Sequence, residues 1–301
     1  MESLLKWAIL NGATAGEDAP ARSADAPVPQ RLDPAVIDAI LGKPASVQMA
    51  ECLDAVEHPE TPLEAREVAL DDLEMLVENI DNASNLEPLN LWPRLLQLYS
   101  DAAPSVRIGA LWVSGTAVQH NPNAQKAFGK HNGVQSALRV LQDDSVDAVR
   151  TKALYCVSSF IRANVHGLTE FVASNGLPAV QLAVENGSCA LRQKAFFLLH
   201  ALIDEALDVE TPEELRPGMY LPNAIAELGF VDATANALGE LVKDANAGMA
   251  YEQAVGFLTA LCATETGKQA VQGCTALRGV LGEAKTQFPD IETDELSQIL
   301  N

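Results

Sequence analysis

The sequence predicts an all-α solenoid, and three observations carry that prediction. Apolar residues recur at i, i+1, i+4, i+7 and i+8, the spacing of one helix face. The pattern returns at a step near 42 residues, and the segments between its copies carry only helical patterns. Its clearest copy is Ala153, Leu154, Val157, Phe160 and Ile161. It recurs at Ala69, Leu70, Leu73, Leu76, Val77; at Ala110, Leu111, Ser114, Ala117, Val118; at Ala195, Phe196, Leu199, Leu202, Ile203; and at Ala254, Val255, Leu258, Leu261, Cys262. The leading alanines lie 41, 43, 42 and 59 residues apart. Such a step points to armadillo or HEAT units, whereas tetratricopeptide and ankyrin repeats of about 33–34 residues fit poorly.

Taken in order, residues 1–10 form an apolar island. Residues 11–34 are rich in Ala, Pro, Gly, Asp and Ser, with Pro20, Pro27, Pro29 and Pro34. This reads as a flexible N-terminal segment, 1–33, ahead of a repeat domain, 34–301. Leu4, Leu5, Trp7 and Ile9 around Lys6 fit either a helix docked on the stack or a peptide captured by another protein. Short helices are expected at 35–41 and 46–57. Thr61-Pro62-Leu63-Glu64 has the pattern of a capping box and opens the helix that carries Ala69 to Ile80. Asp81-Asn82-Ala83-Ser84-Asn85 is rich in turn formers and ends that helix. Another helix starts over Trp92 to Tyr99.

The next two repeats align almost without gaps. Each has a long helix (107–120, 150–164), a shorter one (123–131, 167–174), an Asn-Gly turn at Asn132-Gly133 or Asn175-Gly176, and a third helix (134–142, 177–185). Three helices per unit favour armadillo over the two-helix HEAT repeat, so the expected fold is a right-handed armadillo solenoid. The longer last step holds an insertion over 204–222, a surface loop or partial helix given Pro212, Pro217, Gly218 and Pro222. A helix over 275–288 and a polar capping helix at 291–300 close the stack.

Composition narrows the function. A formal charge of −21 and a pI near 4.5 repel phosphates and anionic bilayers, so neither nucleic acid nor membrane is an expected partner. No run approaches the roughly 18 apolar residues of a membrane span. Lys6 interrupts the opening apolar run and no basic stretch precedes it, which argues against a secretion signal. The five cysteines include no C-x-x-C pair and suit buried thiols in a reducing cytosol or nucleus. Gly42-Lys43-Pro44 lacks the rest of a phosphate loop, Ser114 and Ser158 sit in no nucleophile elbow, and the five histidines have no metal-ligand spacing. No catalytic residue, cofactor or metal is expected, and the reading is a binding protein rather than an enzyme.

On the long helices, the direction opposite the core holds Asp71, Trp112, Tyr155, Phe197 and Gly256. Val68, Gly109, Lys152, Lys194 and Gln253 lie beside them, then Met75, Thr116, Ser159, Ala201 and Ala260, then Glu78, Gln119, Arg162 and Asp204. Trp112, Tyr155 and Phe197 thus form a row along successive repeats, either a partner surface or rings covered by neighbouring helices. Lysines in so acidic a chain are candidates for pairing with a partner's carboxylates.

Leu4-Leu5-Lys6-Trp7-Ala8-Ile9, the run from Glu74 through Asp81-Asn82-Ala83 to Leu86, Gly115-Thr116-Ala117-Val118-Gln119 and Arg150-Thr151-Lys152-Ala153-Leu154 resemble the armadillo-type nucleotide exchange factors of 70-kDa heat-shock chaperones, the fungal Fes and animal HspBP group. The resemblance is collinear over nearly the whole chain. It implies that the repeat domain embraces one lobe of the chaperone's nucleotide-binding domain and disfavours the closed cleft, so that ADP leaves and ATP enters. It implies that Ala83, beside Asn82, matches a contact where a bulky side chain blocks docking, and that Lys194 matches a basic contact. It further implies that Leu4 to Leu10 mimic a chaperone substrate, reach the substrate-binding domain and help eject client. A monomer of the cytosol, or of cytosol and nucleus, is expected. Two departures are an Ala/Pro-rich linker where fungal members often have a glycine-rich one, and the 204–222 insertion. The rival is a passive armadillo scaffold or an import adaptor. Import adaptors need Asn four residues after each groove Trp, whereas Trp112, Tyr155 and Phe197 are followed there by Thr116, Ser159 and Ala201.

Overall fold

The periodic apolar faces become long helices that stack on one another. A computed structural model describes residues 42–210, 218 and 220–300. The chain divides after Pro44 into two units, the second being the helical stack, and among the described residues every regular element is a helix. Helix α1 (Ala45–Glu57) packs on the first long helix, α2 (Leu63–Val77). Two short helices, α3 (Ile80–Asn85) and α4 (Trp92–Gln97), lead through a 3₁₀ turn to the second long helix, α5 (Pro104–Val118). Full three-helix units follow: α6 (Pro122–Lys130), α7 (Gly133–Asp143) and α8 (Asp147–Ile161), then α9 (Val165–Ala173), α10 (Gly176–Asn186) and α11 (Cys189–Leu207). The last are α12 (Tyr220–Glu227), α13 (Phe230–Leu241) and α14 (Gly248–Leu261), then α15 (Glu265–Gly273), α16 (Ala276–Gln287) and α17 (Asp294–Leu300). The long helices pack in series, α2–α5–α8–α11–α14, and the middle helices form a second course, α7–α10–α13–α16. This is armadillo architecture.

The apolar pattern marks the core faithfully. Every residue of the five long-helix sets is buried except Leu76 and Cys262, which are half-buried. Ser114 is buried too, and its hydroxyl donates to the Ala110 carbonyl one turn back at 2.8 Å. Each fully buried Leu, Val, Ile or Phe contributes about 1.5–3 kcal/mol by leaving water, so the stack rests mainly on this face.

At the start of the long helices an arginine ties one unit to the next. Arg66 Nε donates to the Val56 carbonyl at 2.7 Å, Arg150 Nε to Leu141 at 3.0 Å and Arg192 Nε to Val184 at 2.9 Å. These carbonyls lie in the last turns of α1, α7 and α10, where no backbone N–H can reach them. Arg107 instead takes the Asp101 carbonyl and grips the Asp144 carboxylate through both Nε and Nη2. Asp101 pairs with Arg66 and accepts from the Ala103 N–H, and Asp147 pairs with Arg150 and accepts from the Ser188 N–H.

Several local expectations need correction. The capping box does not form: Pro62 itself occupies the cap of α2, so Thr61 lies one residue too early and its side chain does not cap. The helix carrying Ala69 ends at Val77, and the turn formers at 81–85 belong to a new helix, α3. Asn79 starts it, its side chain accepting from the Asp81 and Asn82 N–H groups. In the Asn-Gly turns the asparagines take positive φ, 56° at Asn132 and 58° at Asn175. The glycines serve packing, because a Cβ on Gly133 or Gly176 would sit 2.4 or 2.2 Å from the Phe128 or Phe171 ring. The ends of the 204–222 insertion are helical: 204–207 extend α11 and 220–222 open α12. The helix expected at 35–41 lies outside the described residues.

Two outcomes follow for stability. Leu154→Ala loses about 2–5 kcal/mol from a fully buried site, and Gly176→Ala loses about 1–3 kcal/mol because the buried Phe171 ring has nowhere to move. Equilibrium denaturation measures both. Burial opposes ionisation of Asp101, Asp144 and Asp147, but Arg66, Arg107, Ser188 with Arg150 and the neighbouring N–H groups hold all three carboxyls below the ordinary value. A depressed carboxyl stabilises the fold above the unfolded value of about 3.9, and that stability is lost as pH falls through the lower folded value. The wild-type melting temperature therefore drops on acidification below about pH 4, and Asp144→Asn, already less stable at pH 7, shows a shallower drop. Parallel pH curves for the two proteins would refute the linkage.

Candidate functional site

With one face of each long helix given to the stack, the opposite face carries the exposed side chains. Trp112 is 37% exposed and Phe197 48%, while Tyr155 between them is half-buried. The aromatic row is therefore open to solvent, and Val68 and Met75 extend it on α2 as exposed apolar residues. Tyr155 can lie against α5 because residue 115 is glycine: a Cβ there would sit 2.5 Å from the tyrosine ring.

Polar contacts bind three long helices together under this row. Thr116 Oγ1 donates to Glu74 Oε1 at 2.7 Å and lies 3.3 Å from the Tyr155 hydroxyl. Lys152 Nζ sits 4.2 Å from the centre of the Trp112 ring and 5.3 Å from that of Tyr155, a cation held between two π faces. Burial lowers the Lys152 pKa, the Glu74 carboxylate pulls it back up, and Lys194 lowers it further; the net shift is downward. One unit on, the Arg162 guanidinium lies 5.8 Å from the Phe197 ring centre and donates to Glu205 Oε1 at 3.0 Å. Lys194 is exposed and makes no ion pair among the described residues.

Open grooves at the two ends of this face are acidic. One, of about 500 Å³, is lined by Glu51, Cys52, Ala55, Asp72 and Met75. The other, of about 390 Å³, is lined by His200, Asp204, Glu252, Gly256 and Glu295. The cations thus lie between two grooves that each carry carboxylates, an arrangement suited to a partner's carboxylates flanked by apolar contacts. Nothing in the thiols suggests a nucleophile: burial pushes Cys156 up to about 12 and Cys262 up to about 11, and Cys52, Cys189 and Cys274 are also raised.

The sequence-derived residues divide accordingly. Trp112, Lys152 and Tyr155 form one patch, and Phe197 on α11 pairs with Arg162, which follows the end of α8 in extended backbone. Gln119 is exposed but follows the end of α5, in extended backbone. Ala83 is 1% exposed within the core, so an arginine there disrupts the packing of α3 as well as any contact that α3 makes. Asn82 is half-buried and donates from Nδ2 to the Leu76 carbonyl, which ties α3 to the end of α2. Leu4, Leu5, Trp7 and Ile9 lie outside the described residues. Sequence reasoning missed Glu74; its signal is a carboxylate spaced one repeat from Thr116 on the same face of successive long helices.

The family described as "Nucleotide exchange factor Fes1" matches residues 1–86, and "SIL1/FES1/HPBP1 C-terminal domain" matches residues 82–218. The Hsp70 nucleotide exchange factor fes1 of Schizosaccharomyces pombe is 36% identical over 181 residues, which are 60% of this chain and 63% of that protein. The Hsp70 nucleotide exchange factors FES1 of Scheffersomyces stipitis and Saccharomyces cerevisiae are 30% and 31% identical over 254 and 257 residues, 80% of this chain and 85% and 86% of theirs. A solved designed armadillo repeat protein in complex with the peptide (KR)4 superposes with a TM-score of 0.60 over 84% of this chain and 99% of that one, at 15% identity, which establishes the fold alone. Two collinear family matches that meet at residues 82–86, with relatives covered over more than four-fifths of their length, place this chain in the Fes1 family of nucleotide exchange factors.

Proposed function

We propose that this chain is a nucleotide exchange factor for a 70-kDa heat-shock chaperone, binding the chaperone's nucleotide-binding domain with the exposed face of α5, α8 and α11. What carries this reading is membership of the family, whose relatives bear that function in their names over most of the aligned length. The geometry adds a surface suited to docking, with Lys152 and Lys194 for carboxylates and Trp112 and Phe197 for apolar contact, all on rigid packed helices.

The mechanism is a coupling of two equilibria. The factor prefers the open cleft, so its binding weakens ADP by some factor, and bound ADP weakens the factor equally. ADP then leaves, ATP enters and client is released. The segment 1–33 acts separately, its Leu4-Leu5-Lys6-Trp7-Ala8-Ile9 stretch competing with client at the substrate-binding domain. The chain works as a monomer, by binding rather than catalysis, and in the cytosol, where five free thiols stay reduced.

Wild-type protein is expected to accelerate release of labelled ADP from a cytosolic 70-kDa heat-shock chaperone in stopped flow. An ADP off-rate that the protein leaves unchanged sinks the exchange reading and favours the scaffold. Lys194→Ala and Lys152→Ala each weaken the complex by about 1–3 kcal/mol, more at low salt than at high, with unchanged helicity. Deleting residues 1–33 spares ADP release and slows client displacement; equal client release by the truncation contradicts the role given to that segment.

A further inference from the structure

Glu74 is an anomaly in this fold. It is 8% exposed on α2, and among the described residues its carboxylate makes no ion pair within 4 Å. A buried carboxylate without a contact cation is costly, and a methionine or leucine would fill the same space at lower cost. Among the described residues its carboxylate accepts one hydrogen bond, from Thr116 on α5, whose hydroxyl also meets Tyr155 on α8. Within its electrostatic reach stands Lys152, whose charge lies over the Trp112 and Tyr155 rings.

We propose that Glu74 is a positioning residue for the binding face, one that orders the Thr116–Tyr155 hydroxyl pair and holds the Lys152 ammonium over its two rings before a partner arrives. The inference rests on the exchange-factor reading for its functional consequence, since Glu74 itself never touches the partner. Two opposing groups face Lys152 electrostatically: Glu74 from α2, which favours its charged form, and Lys194 from α11, which disfavours it. Neutralising Glu74 leaves Lys152 with burial and the repulsion of Lys194 alone. The lysine then has reason to swing into solvent, and a partner carboxylate must spend binding free energy to order it again.

Glu74→Gln keeps the shape and the acceptor for Thr116 while deleting the charge. In the isolated protein, the Lys152 side-chain titration followed by NMR is expected to move up toward the ordinary lysine value, because an ammonium released to solvent escapes the burial that chiefly lowers it. Affinity for the chaperone is expected to fall roughly 2–10-fold, and the same change made in a Lys152→Gln background is expected to cost nothing further. An E74Q protein with the wild-type Lys152 titration overturns the proposal, and so does an equal loss of affinity in both backgrounds. Glu74→Met, suited to the buried setting, gives the same titration shift if the glutamine variant folds poorly. The titration needs no chaperone, so wild-type protein that fails to release ADP defeats the exchange reading while leaving this test intact.

Discussion

The carbonyl groups at the end of one helix must find donors, and this solenoid depends on the arginine that supplies them. Arg66, Arg150 and Arg192 reach back to Val56, Leu141 and Val184, one in each successive joint they serve. A guanidinium has enough donors in a fixed fork to take a carbonyl and a carboxylate together, which lysine could not do at the same sites. Because each arginine lies in the first turn of a long helix, holding it sets the rotation of that helix about its own axis. Arg107 shows the constraint from the other side. It grips Asp144 downstream instead of the last turn of the preceding helix, and the 3₁₀ turn at Leu98–Ser100 is where the regular joint is interrupted.

Rotation decides which side chains reach solvent, because turning a helix by about two residues, roughly 200°, exchanges its buried and exposed faces. The setting that buries Ala153, Leu154 and Val157 in α8 brings Lys152 and Tyr155 outward. Gly115 on the neighbouring helix then determines how closely Tyr155 may lie, and Thr116 how its hydroxyl is oriented. The aromatic and basic patch is therefore a consequence of the same joints that hold the stack together, built on packed helices rather than on loops.

What could be read from the residues alone is whatever rests on helical period. The five apolar sets, the three-helix unit and the outward row all follow from 3.6 residues per turn, and the structure keeps them. What could not be read depends on tertiary competition. Asp81-Asn82-Ala83-Ser84-Asn85 has turn-forming composition, yet the Asn79 side chain and the burial of Ala83 and Leu86 restart a helix through it. Thr61 has the right chemistry for a cap and sits one residue too early because Pro62 takes the position. Ala83 matched a contact position by family resemblance, which carries no information about burial in this chain. Glu74 was invisible for a similar reason. A single carboxylate on a long helix reads as solvated until its partners on two other helices are known.

The distribution of the few basic residues gives the acidic composition its meaning. Of 20 lysines and arginines against 41 acids, Arg66, Arg107, Arg150 and Arg192 are consumed by the joints, while Lys152 and Lys194 stand on the long-helix face and Arg162 follows the end of α8, paired with Glu205. At separations beyond the Debye length of about 8 Å in physiological salt, charges on the partner feel little of either group. Closer in, the acids of the two end grooves repel a carboxylate-bearing surface, whereas the central cations attract it. Such a pattern does little for raw affinity and much for orientation, since a misplaced partner meets like charge at once. For the exchange function proposed above, that property matters more than tightness, because the factor must engage its partner in one pose and let go when the nucleotide state changes.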